Sequence, residues 1–514
     1  MKHLKITLSI LPLLTLLVSC NVTPEVSSLG PNEESSTSNN SSLSEEVSSS
    51  LTSSSSSLAQ VGYHQAEAPS QILRDANNSL GQYPLKSTGT QKLLVVPVQL
   101  SDGPAWTSTM LSRINTAMFG TPEETGYFES VASFYHKSSY GAITITGEVT
   151  NPLILTSYTV SSLDKLGEKA PEQVVIPKYY ETADTALLKS YDQDLDGRVD
   201  ATLFVYSNNF SNKKDSAYWA WVWYPDFGTN ATKPKISTYF WVSYEFTNET
   251  GGGEYIDAHT FIHETGHVLG LDDYYNYDDE YNPAGTLEMQ SYNVGDQGMF
   301  SKMELGWVNP YVLNDVHEDS VIVPLRSSAL YPDALLLNDS WNGTPNDEYI
   351  LIEYYTPEGN NLVDSLSAYS NGERMYSESG LRIYHSDARI VKLNSQGNFV
   401  AYSDKVYESS AYSYFTGASN STSWSYLSSA NASEFKLLSL QQSNVTSGTS
   451  RQALINGGEA SRTGTLFKAG QTWKALSTIF PSGANTFNNG KKIGYSVSLD
   501  HVEAGVAYVR VDRI

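Results

Sequence analysis

Apolar and polar positions divide the chain up to about residue 310 into two kinds of segment. Four segments alternate or run apolar as strands do: Lys92–Leu100, Ala142–Val149, Ala201–Tyr206 and Ser237–Tyr244. Three others look helical: Thr107–Phe119, Gly126–Lys137 and Pro171–Leu188, the last with a restart at Pro177. Pro97 in the first strand indicates an edge strand or a bulge, because proline cannot donate to a sheet. Strands that alternate with helices predict an α/β domain over about residues 91–310.

Beyond residue 310 the pattern changes to short runs of β type. They are Val321–Val323, Tyr349–Tyr355, Leu381–Tyr384, Val406–Tyr407 and Gly505–Val511. Such runs predict a β-rich, sandwich-like region over residues 311–514. A short segment, residues 61–90, precedes the first domain. The expected fold is therefore an α/β or α+β domain followed by a β-rich C-terminal region.

The N-terminus has the layout of a secretory signal. The basic start Met1–Lys5 is followed by the apolar run Ile6–Val18, which is too short to span a membrane. The run leads to Cys20, the only cysteine in the chain. This pattern is that of a bacterial lipobox and predicts cleavage after residue 19 and lipidation of Cys20. An ordinary signal peptide with an incidental cysteine is the alternative.

Residues 20–60 are rich in Ser, Thr, Asn and Glu and include the serine run Ser53–Ser57. Such a segment buries too little apolar surface to offset the entropy of ordering it, so we expect a disordered tether. The tether would hold the folded part on the extracellular face of a bacterial membrane, anchored by the acyl chains on Cys20.

The charge balance excludes one class of partner. Acidic residues outnumber basic ones 56 to 32, which gives a net charge of −24 and makes nucleic acid an unsuitable partner. The 35 tyrosines and 9 tryptophans favour β-rich architecture and polar binding surfaces. We expect a monomer.

The stretch His259–Tyr275 contains the arrangement HExxHxxGxxD. His263 and His267 are four residues apart, so in a helix both imidazoles can reach one metal ion, most simply Zn²⁺. Glu264 follows the first histidine and can act as general base on a metal-bound water. Gly270 permits a left-handed backbone that ends the helix and returns Asp273 as a third ligand.

Four neighbours of this motif have open roles. Asp272 is an alternative third ligand that lies one residue out of step, and Glu288 is a downstream rival to Asp273. His259 lies one turn before His263 and suits the start of the helix or an outer contact better than ligation. Met289 is either an apolar base beneath the metal or an ordinary core methionine.

A second acidic segment has the spacing of a calcium loop. Asp192, Asp194 and Asp196 stand at positions 1, 3 and 5, and Gly197 is placed for the sharp turn. Position 12 is Leu203 instead of glutamate, so the loop is not a standard EF-hand, and Asp200 is expected to complete the shell. The alternative is a solvated acidic turn.

These segments together resemble the M6 peptidase family, the immune inhibitor A-like secreted metallopeptidases. The resemblance covers about residues 90–390 and rests on Leu93–Asp102, Phe134–Val149, Asp192–Asp200, His263–Asp273, Met289 with Phe300–Trp307, and the strands Tyr349–Glu353 and Gly380–Asp387. It implies a metzincin-like fold, zinc on His263, His267 and Asp273, Glu264 as base and Met289 as the turn methionine. The chain departs from the family at Asp272, where a proline often stands, and in its short pre-domain segment.

The expected function is hydrolysis of peptide bonds in extracellular proteins or peptides. Zinc would be the catalytic metal and calcium a stabilising one. An alternative of another class is a lipid-anchored surface protein with an auxiliary or inactive zinc domain. It would bind glycans or proteins through the aromatic stretch Tyr218–Tyr224 and the β-rich C-terminal half. A zinc hydrolase with a non-peptide substrate is a third.

Overall fold

A computed structural model describes most of the chain beyond residue 83. It covers residues 64–65, 84–210, 216–225, 227–250, 253–277, 283–285, 287–313, 320–369, 374–394, 399–402, 414–421, 436–443, 464–474 and 486–514. The predictions for residues 1–60, including Cys20 and the tether, lie outside these residues, as does Val406–Tyr407. All described residues belong to one unit, Leu58–Ile514.

The described strands are numbered along the chain. They are β1 (His64–Gln65), β2 (Gly89–Leu100), β3 (Ile143–Val149), β4 (Leu153–Leu155), β5 (Arg198–Val199), β6 (Thr202–Tyr206), β7 (Trp221–Trp223), β8 (Lys235–Ile236), β9 (Tyr239–Ser243), β10 (Tyr311–Leu313), β11 (Ser320–Leu325), β12 (Leu335–Leu337), β13 (Glu348–Tyr355), β14 (Gly380–Asp387), β15 (Ile390–Leu393), β16 (Phe399–Tyr402), β17 (Tyr414–Thr416), β18 (Leu438–Leu440), β19 (Thr472–Lys474), β20 (Tyr495–Glu503) and β21 (Val506–Arg513).

The α-helices of the described residues are short. They are α1 (Ser108–Phe119), α2 (Pro122–Thr125), α3 (Val131–Ser138), α4 (Val160–Asp164), α5 (Ile176–Thr182), α6 (Thr185–Ser190), α7 (His259–Val268), α8 (Met289–Tyr292), α9 (Met299–Glu304) and α10 (Leu362–Leu366). Single turns of 3₁₀ helix lie at Gly167–Lys169, Tyr244–Asn248 and Gly359–Asn361, and a π-helical turn at Pro171–Val175. No helix in the described part of the chain is both long and apolar enough to cross a membrane.

The first sheet has the order β3-β2-β6-β9-β7, with β4 also paired to β2. Its neighbours pair in parallel except for β7, which runs antiparallel to β9 at the edge. Successive side chains of β2 point to opposite faces, as strand geometry requires. Leu93 and Val95 therefore join the core under α1, α3 and α7, while Leu94 and Val96 join the core on the other face with α4 and α5.

Most of the predicted elements in this half are confirmed to within a few residues, but three details were wrong. β2 is not an edge strand, because it pairs with β6 on one side and with β3 and β4 on the other. On one side of β2, the pairing to β3 ends at Val95 and the pairing to β4 begins at Val98. Pro97 lies in the gap between the two, so its missing N–H group removes no hydrogen bond between strands on that side.

The other two errors concern helices. The predicted helix Gly126–Lys137 begins late, at Val131, because Gly126, at φ +74°, ends α2 and Ser130 caps the new helix, α3. The predicted helix Pro171–Leu188 is divided into the π-helical turn, α5 and α6. Asp184 starts α6 by accepting a hydrogen bond from the Ala186 amide at 3.0 Å.

Two further sheets share a core in the C-terminal half. A six-stranded sheet has the order β1-β10-β12-β13-β14-β18, and a four-stranded sheet has the order β11-β21-β20-β19. Leu335 and Ile350 of the first pack with Val323 and Val509 of the second. The opposite face of the six-stranded sheet packs against the segment that includes α9. Mixed α and β structure with several sheets and few helices, as the sequence predicted, is therefore confirmed.

The predicted boundary near residue 310 stays a prediction. One buried cluster includes Tyr274 and Met299 from before it and Val312 and Leu351 from after it. The six-stranded sheet is thus a direct support for the loops that follow α7.

Candidate metal centre

Helix α7 is buried along its whole length. Phe261, Ile262 and Val268 pack into the core on one face of the first sheet. The hydroxyl of Tyr135, in α3, donates to the carbonyl of Ile262 at 2.7 Å. The polar residues of the helix are therefore held at a fixed position relative to the sheet.

His263, His267 and Asp273 are brought together at the C-terminal end of α7. Nε2 of His263 lies 3.0 Å from Nε2 of His267 and 3.0 Å from Oδ1 of Asp273. Nε2 of His267 lies 3.2 Å from the same carboxylate oxygen. Ligand atoms about 2.0–2.1 Å from a tetrahedral ion lie about 3.3 Å apart, so these three atoms are close to the spacing that such an ion needs.

The other nitrogen of each imidazole is held by a main-chain carbonyl. Nδ1 of His263 donates to the carbonyl of Met289 at 2.9 Å, and Nδ1 of His267 donates to the carbonyl of Leu271 at 2.7 Å. Because a carbonyl can only accept, Nδ1 carries the proton in both rings. Each Nε2 is therefore directed at the shared point with its lone pair available to a metal.

The structure brings Asp273, and neither of its rivals, to the two histidines. Among the described residues the ligand atoms of His263, His267 and Asp273 form one group that could hold a metal ion. Asp272 is exposed to solvent and is not in that group. Glu288 is fully buried, and its carboxylate accepts a hydrogen bond from the Gly298 amide at 3.2 Å instead.

The charge state of Asp273 reflects the two imidazoles. Burial alone would raise the pKa of Asp273, but without a metal the charge of His267 and hydrogen bonds from the Nε2 atoms of both histidines hold it below its usual range. A bound metal would take the place of those Nε2 protons. The hydroxyl of Tyr277 donates to Oδ2, the oxygen turned away from the histidines. The carboxylate is thus ionised and oriented by partners on both sides.

Glu264 occupies the position next to the first histidine and is buried with it. Burial raises the pKa of the Glu264 carboxyl, while the neighbouring His267 and His263 lower it. Among the described residues the carboxylate has no hydrogen-bond partner. A buried carboxylate without such a partner is able to take up a proton from a bound water.

Two glycines shape the end of the helix. Gly270 has φ +105°, a left-handed conformation, and its amide bonds to the carbonyl of His267 at 2.7 Å. The chain then turns and brings Asp273 back, as the sequence predicted for Gly270. Gly266 was not singled out from the sequence, yet a Cβ there would come within 2.2 Å of Oε1 of Gln290.

The α8 turn, Met289–Tyr292, lies directly against α7. The Met289 side chain is fully buried in the same core as Phe261 and Ile262. Its main-chain carbonyl makes the contact to His263 described above, and the Gln290 side chain donates to the carbonyl of His263 at 3.3 Å. Residue 289 therefore supports the first ligand through its backbone.

His259 does not reach the metal group. It is the first residue of α7 and is fully buried, with Nδ1 2.7 Å from Asp257 and Nε2 3.3 Å from Asp364. Its ring stacks between Phe128, at a centroid distance of 3.9 Å, and Tyr369, at 4.2 Å. Burial alone would lower the pKa of His259, but the two carboxylates raise it to about 10. This position agrees with the predicted role at the start of the helix.

Other contacts in the site were not anticipated. The Tyr224 hydroxyl donates to the carbonyl of His267, and Tyr277 donates to Asp273 as stated above. Tyr277 is four residues after Asp273 but outside any helix, so no spacing rule indicates the contact. A tyrosine-rich sequence beside the motif was the only available signal.

The acidic loop brings together three of its four predicted carboxylates. Asp192, Asp194 and Asp200 form a second group of described residues that could hold an ion. The Asp196 carboxylate instead bonds to the amide and guanidinium of Arg198, at 2.7 and 3.0 Å. Gly197 has φ +85°, as a sharp turn requires.

Two features of this loop favour the binding of a cation. Oδ1 of Asp192 is buried without a hydrogen-bond partner. Burial, aided by the charges of the neighbouring aspartates, raises the pKa of Asp200 to about 7 although the Gln193 amide lowers it. A bound cation would satisfy both groups.

The chain was also compared with known proteins. No protein-family model matches it, and no curated protein sequence matches it either.

Proposed function

We propose that this protein is a zinc metallopeptidase of metzincin-like type that hydrolyses peptide bonds of extracellular proteins. The observation that carries the proposal is the pair of histidines whose Nδ1 atoms are fixed by carbonyls and whose Nε2 atoms converge with Oδ1 of Asp273. Two imidazole nitrogens and one carboxylate oxygen form a donor set of the kind that catalytic zinc sites use, with a fourth position left for water or substrate.

The residues fit a resident Zn²⁺ in both spacing and charge. Zinc held by three side chains supplies a Lewis acid that makes a water molecule nucleophilic near neutral pH. Glu264 is the general base in this proposal, because it lies beside the ligands and has no competing partner among the described residues. It accepts the proton of the attacking water and then delivers it to the nitrogen of the departing amine.

Strand β7 supports a peptide as substrate. It is the antiparallel edge strand of the first sheet, it contacts α7, and no described strand pairs with its outer side. An extended peptide can add to such an edge through main-chain hydrogen bonds. Trp221 and Trp223, 40% and 56% exposed, lie on this strand and offer aromatic surface beside that edge.

The third ligand can be tested with neighbouring aspartates as a matched pair. Asp273→Asn is expected to lose bound zinc and at least about a hundredfold of its activity on casein, because the amide removes the negative charge from the ligand set. Asp272→Asn should retain one equivalent of zinc, because its carboxylate is not among the converging ligand atoms. The measurements are metal content by mass spectrometry and casein digestion. Full zinc occupancy in Asp273→Asn, or loss of zinc in Asp272→Asn, would contradict this ligand set.

We further propose that the acidic loop binds Ca²⁺ and that the protein is lipid-anchored through Cys20. Asp194→Asn is expected to lower the stabilisation by calcium. At a calcium concentration about 100 times the dissociation constant, binding contributes about 2.7 kcal/mol of stability. Asp196→Asn should reduce the stabilisation by calcium much less, because the Asp196 carboxylate is directed to Arg198. Thermal unfolding with and without calcium measures both, and equal losses in the two variants would refute the proposed shell.

A further inference from the structure

A small cavity lies beyond the end of α7, on the turn that carries Asp273. Its lining includes Gly270 and Asp272 from the turn, Glu304 from α9, and Thr416 from β17. The open volume is about 30 Å³. A single water needs roughly 10–15 Å³, so the space suits an ion with one water and is too small for a lysine or arginine side chain.

Glu304 is the unusual residue in this cavity. It is the last residue of α9 and is 9% exposed. Its carboxylate has no hydrogen-bond or ion-pair partner among the described residues. Burial, with a contribution from Asp272, raises the pKa of Glu304 to about 8. A buried carboxylate in such a setting is unfavourable unless a positive charge or a proton compensates it.

The surrounding residues provide no such compensation. Of the residues that line the cavity, none is a lysine, arginine or histidine, and two are acidic. Tyr274 also lines the cavity, but its hydroxyl pairs with Oγ of Ser301 at 3.0 Å. The cavity therefore combines two carboxylates from different elements with room for a small cation.

We propose that this cavity is a second calcium site, in which the carboxylates of Asp272 and Glu304 bind Ca²⁺ and the hydroxyl or carbonyl of Thr416 adds a further oxygen. Only oxygen donors are offered, which selects a hard cation. Ca²⁺ accepts irregular sets of protein oxygens, whereas Mg²⁺ demands a near-ideal octahedron and keeps most of its waters. The site is separate from the loop at Asp192 and does not depend on the proposed peptidase activity.

Calcium in this cavity would connect three segments that are distant in the sequence. Asp272 directly precedes Asp273, Glu304 ends α9, and Thr416 ends β17, which pairs with β15. The ion would therefore restrain the turn after α7 against both α9 and the strand pair β15–β17. Its effect on stability is expected to be global, because it joins elements on both sides of the turn.

The experiment uses the Asp194→Asn protein, so that the loop site does not contribute. The protein is stripped with EDTA, dialysed, and titrated with calcium by calorimetry and by thermal unfolding. We expect one remaining calcium site and a rise in melting temperature on saturation. Adding Glu304→Gln should weaken binding at least tenfold and remove that rise, whereas adding Glu503→Gln, at an exposed position, should change neither.

The stability of the metal-free variants separates ligation from misfolding. Without metal, Glu304→Gln should be at least as stable as its parent, because the amide has no charge to bury. If that variant fails to fold, Asp272→Asn, at an exposed residue, is expected to show the same loss of calcium affinity. Absence of calcium binding in Asp194→Asn would overturn the proposal. So would unchanged calcium affinity after substitution of Glu304 or Asp272, or tighter binding of Mg²⁺ than of Ca²⁺.

Discussion

Glu264→Gln is expected to hydrolyse casein at least about a hundredfold, and up to about ten-thousandfold, more slowly than the unchanged protein. This range is what a positioned general acid–base group contributes. The glutamine has nearly the same volume as the glutamate, and none of the three metal-binding atoms belongs to residue 264. The variant should therefore still bind one equivalent of zinc, and the loss should appear in kcat.

Glu254→Gln provides the control, since Glu254 is exposed and only ten residues away. It should digest casein at the unchanged rate. Hydrolysis by purified Glu264→Gln at the full rate, with zinc bound, would rule out the proposed base. Loss of zinc together with activity would instead mean that residue 264 supports the ligands.

His259→Phe is expected to destabilise the fold by about 3–5 kcal/mol, the range observed when one partner of a buried charged group is removed. Phenylalanine keeps an aromatic ring between Phe128 and Tyr369 but donates to neither Asp257 nor Asp364. Two buried carboxylates would then lose their counter-charge. Urea unfolding of the two proteins at about pH 6 measures the difference.

The loss of stability in His259→Phe should become smaller as the pH rises. The pKa of His259 in the folded protein is about 10, above the value of about 6.5 in an unfolded chain. The stabilisation by its charge is therefore complete below about pH 6.5 and declines as the pH rises through about 10. The difference in unfolding free energy between the two proteins should be smaller at about pH 10 than at about pH 6.

His501 offers a matched comparison at the surface. It also stacks on an aromatic ring, Tyr508 at 4.3 Å, and lies 2.8 Å from an acid, Asp500. Because that pair is exposed, His501→Phe should change stability by less than about 1 kcal/mol. The opposite result would be that the unfolding free energies of the wild type and His259→Phe differ as little as that, or differ more as the pH rises. Either outcome would show that the buried imidazole is neutral.

The sequence was informative wherever function or packing depends on short spacings. The apolar run Lys92–Leu100 predicted the strand β2, but not that both of its faces are buried. The spacing of His263, His267 and Asp273 predicted which side chains would meet. Gly270 could be interpreted because a helix that must turn back needs a left-handed residue at its end. All of these relations lie within about a dozen residues.

Relations between distant segments could not be predicted in the same way. Asp364 lies 105 residues after His259, and nothing in either local sequence pairs them. The late start of α3 after Gly126 and the break before α6 at Asp184 depended on caps that compete with helical spacing. Asp196 fits the calcium pattern by position, but Arg198, two residues on, takes its carboxylate. A single sequence does not show which of two competing local bonds is formed.

The close approach of Gly266 to Gln290 has a consequence for redesign of this chain. Ranked by helix propensity, alanine would be the first choice at position 266, since glycine is about 1 kcal/mol less favourable inside a helix. The added methyl group would collide with the buried side-chain amide of Gln290, which donates to the carbonyl of His263 and accepts from Gln297. A thermostabilising library that substitutes helical glycines by rule should therefore exclude this one.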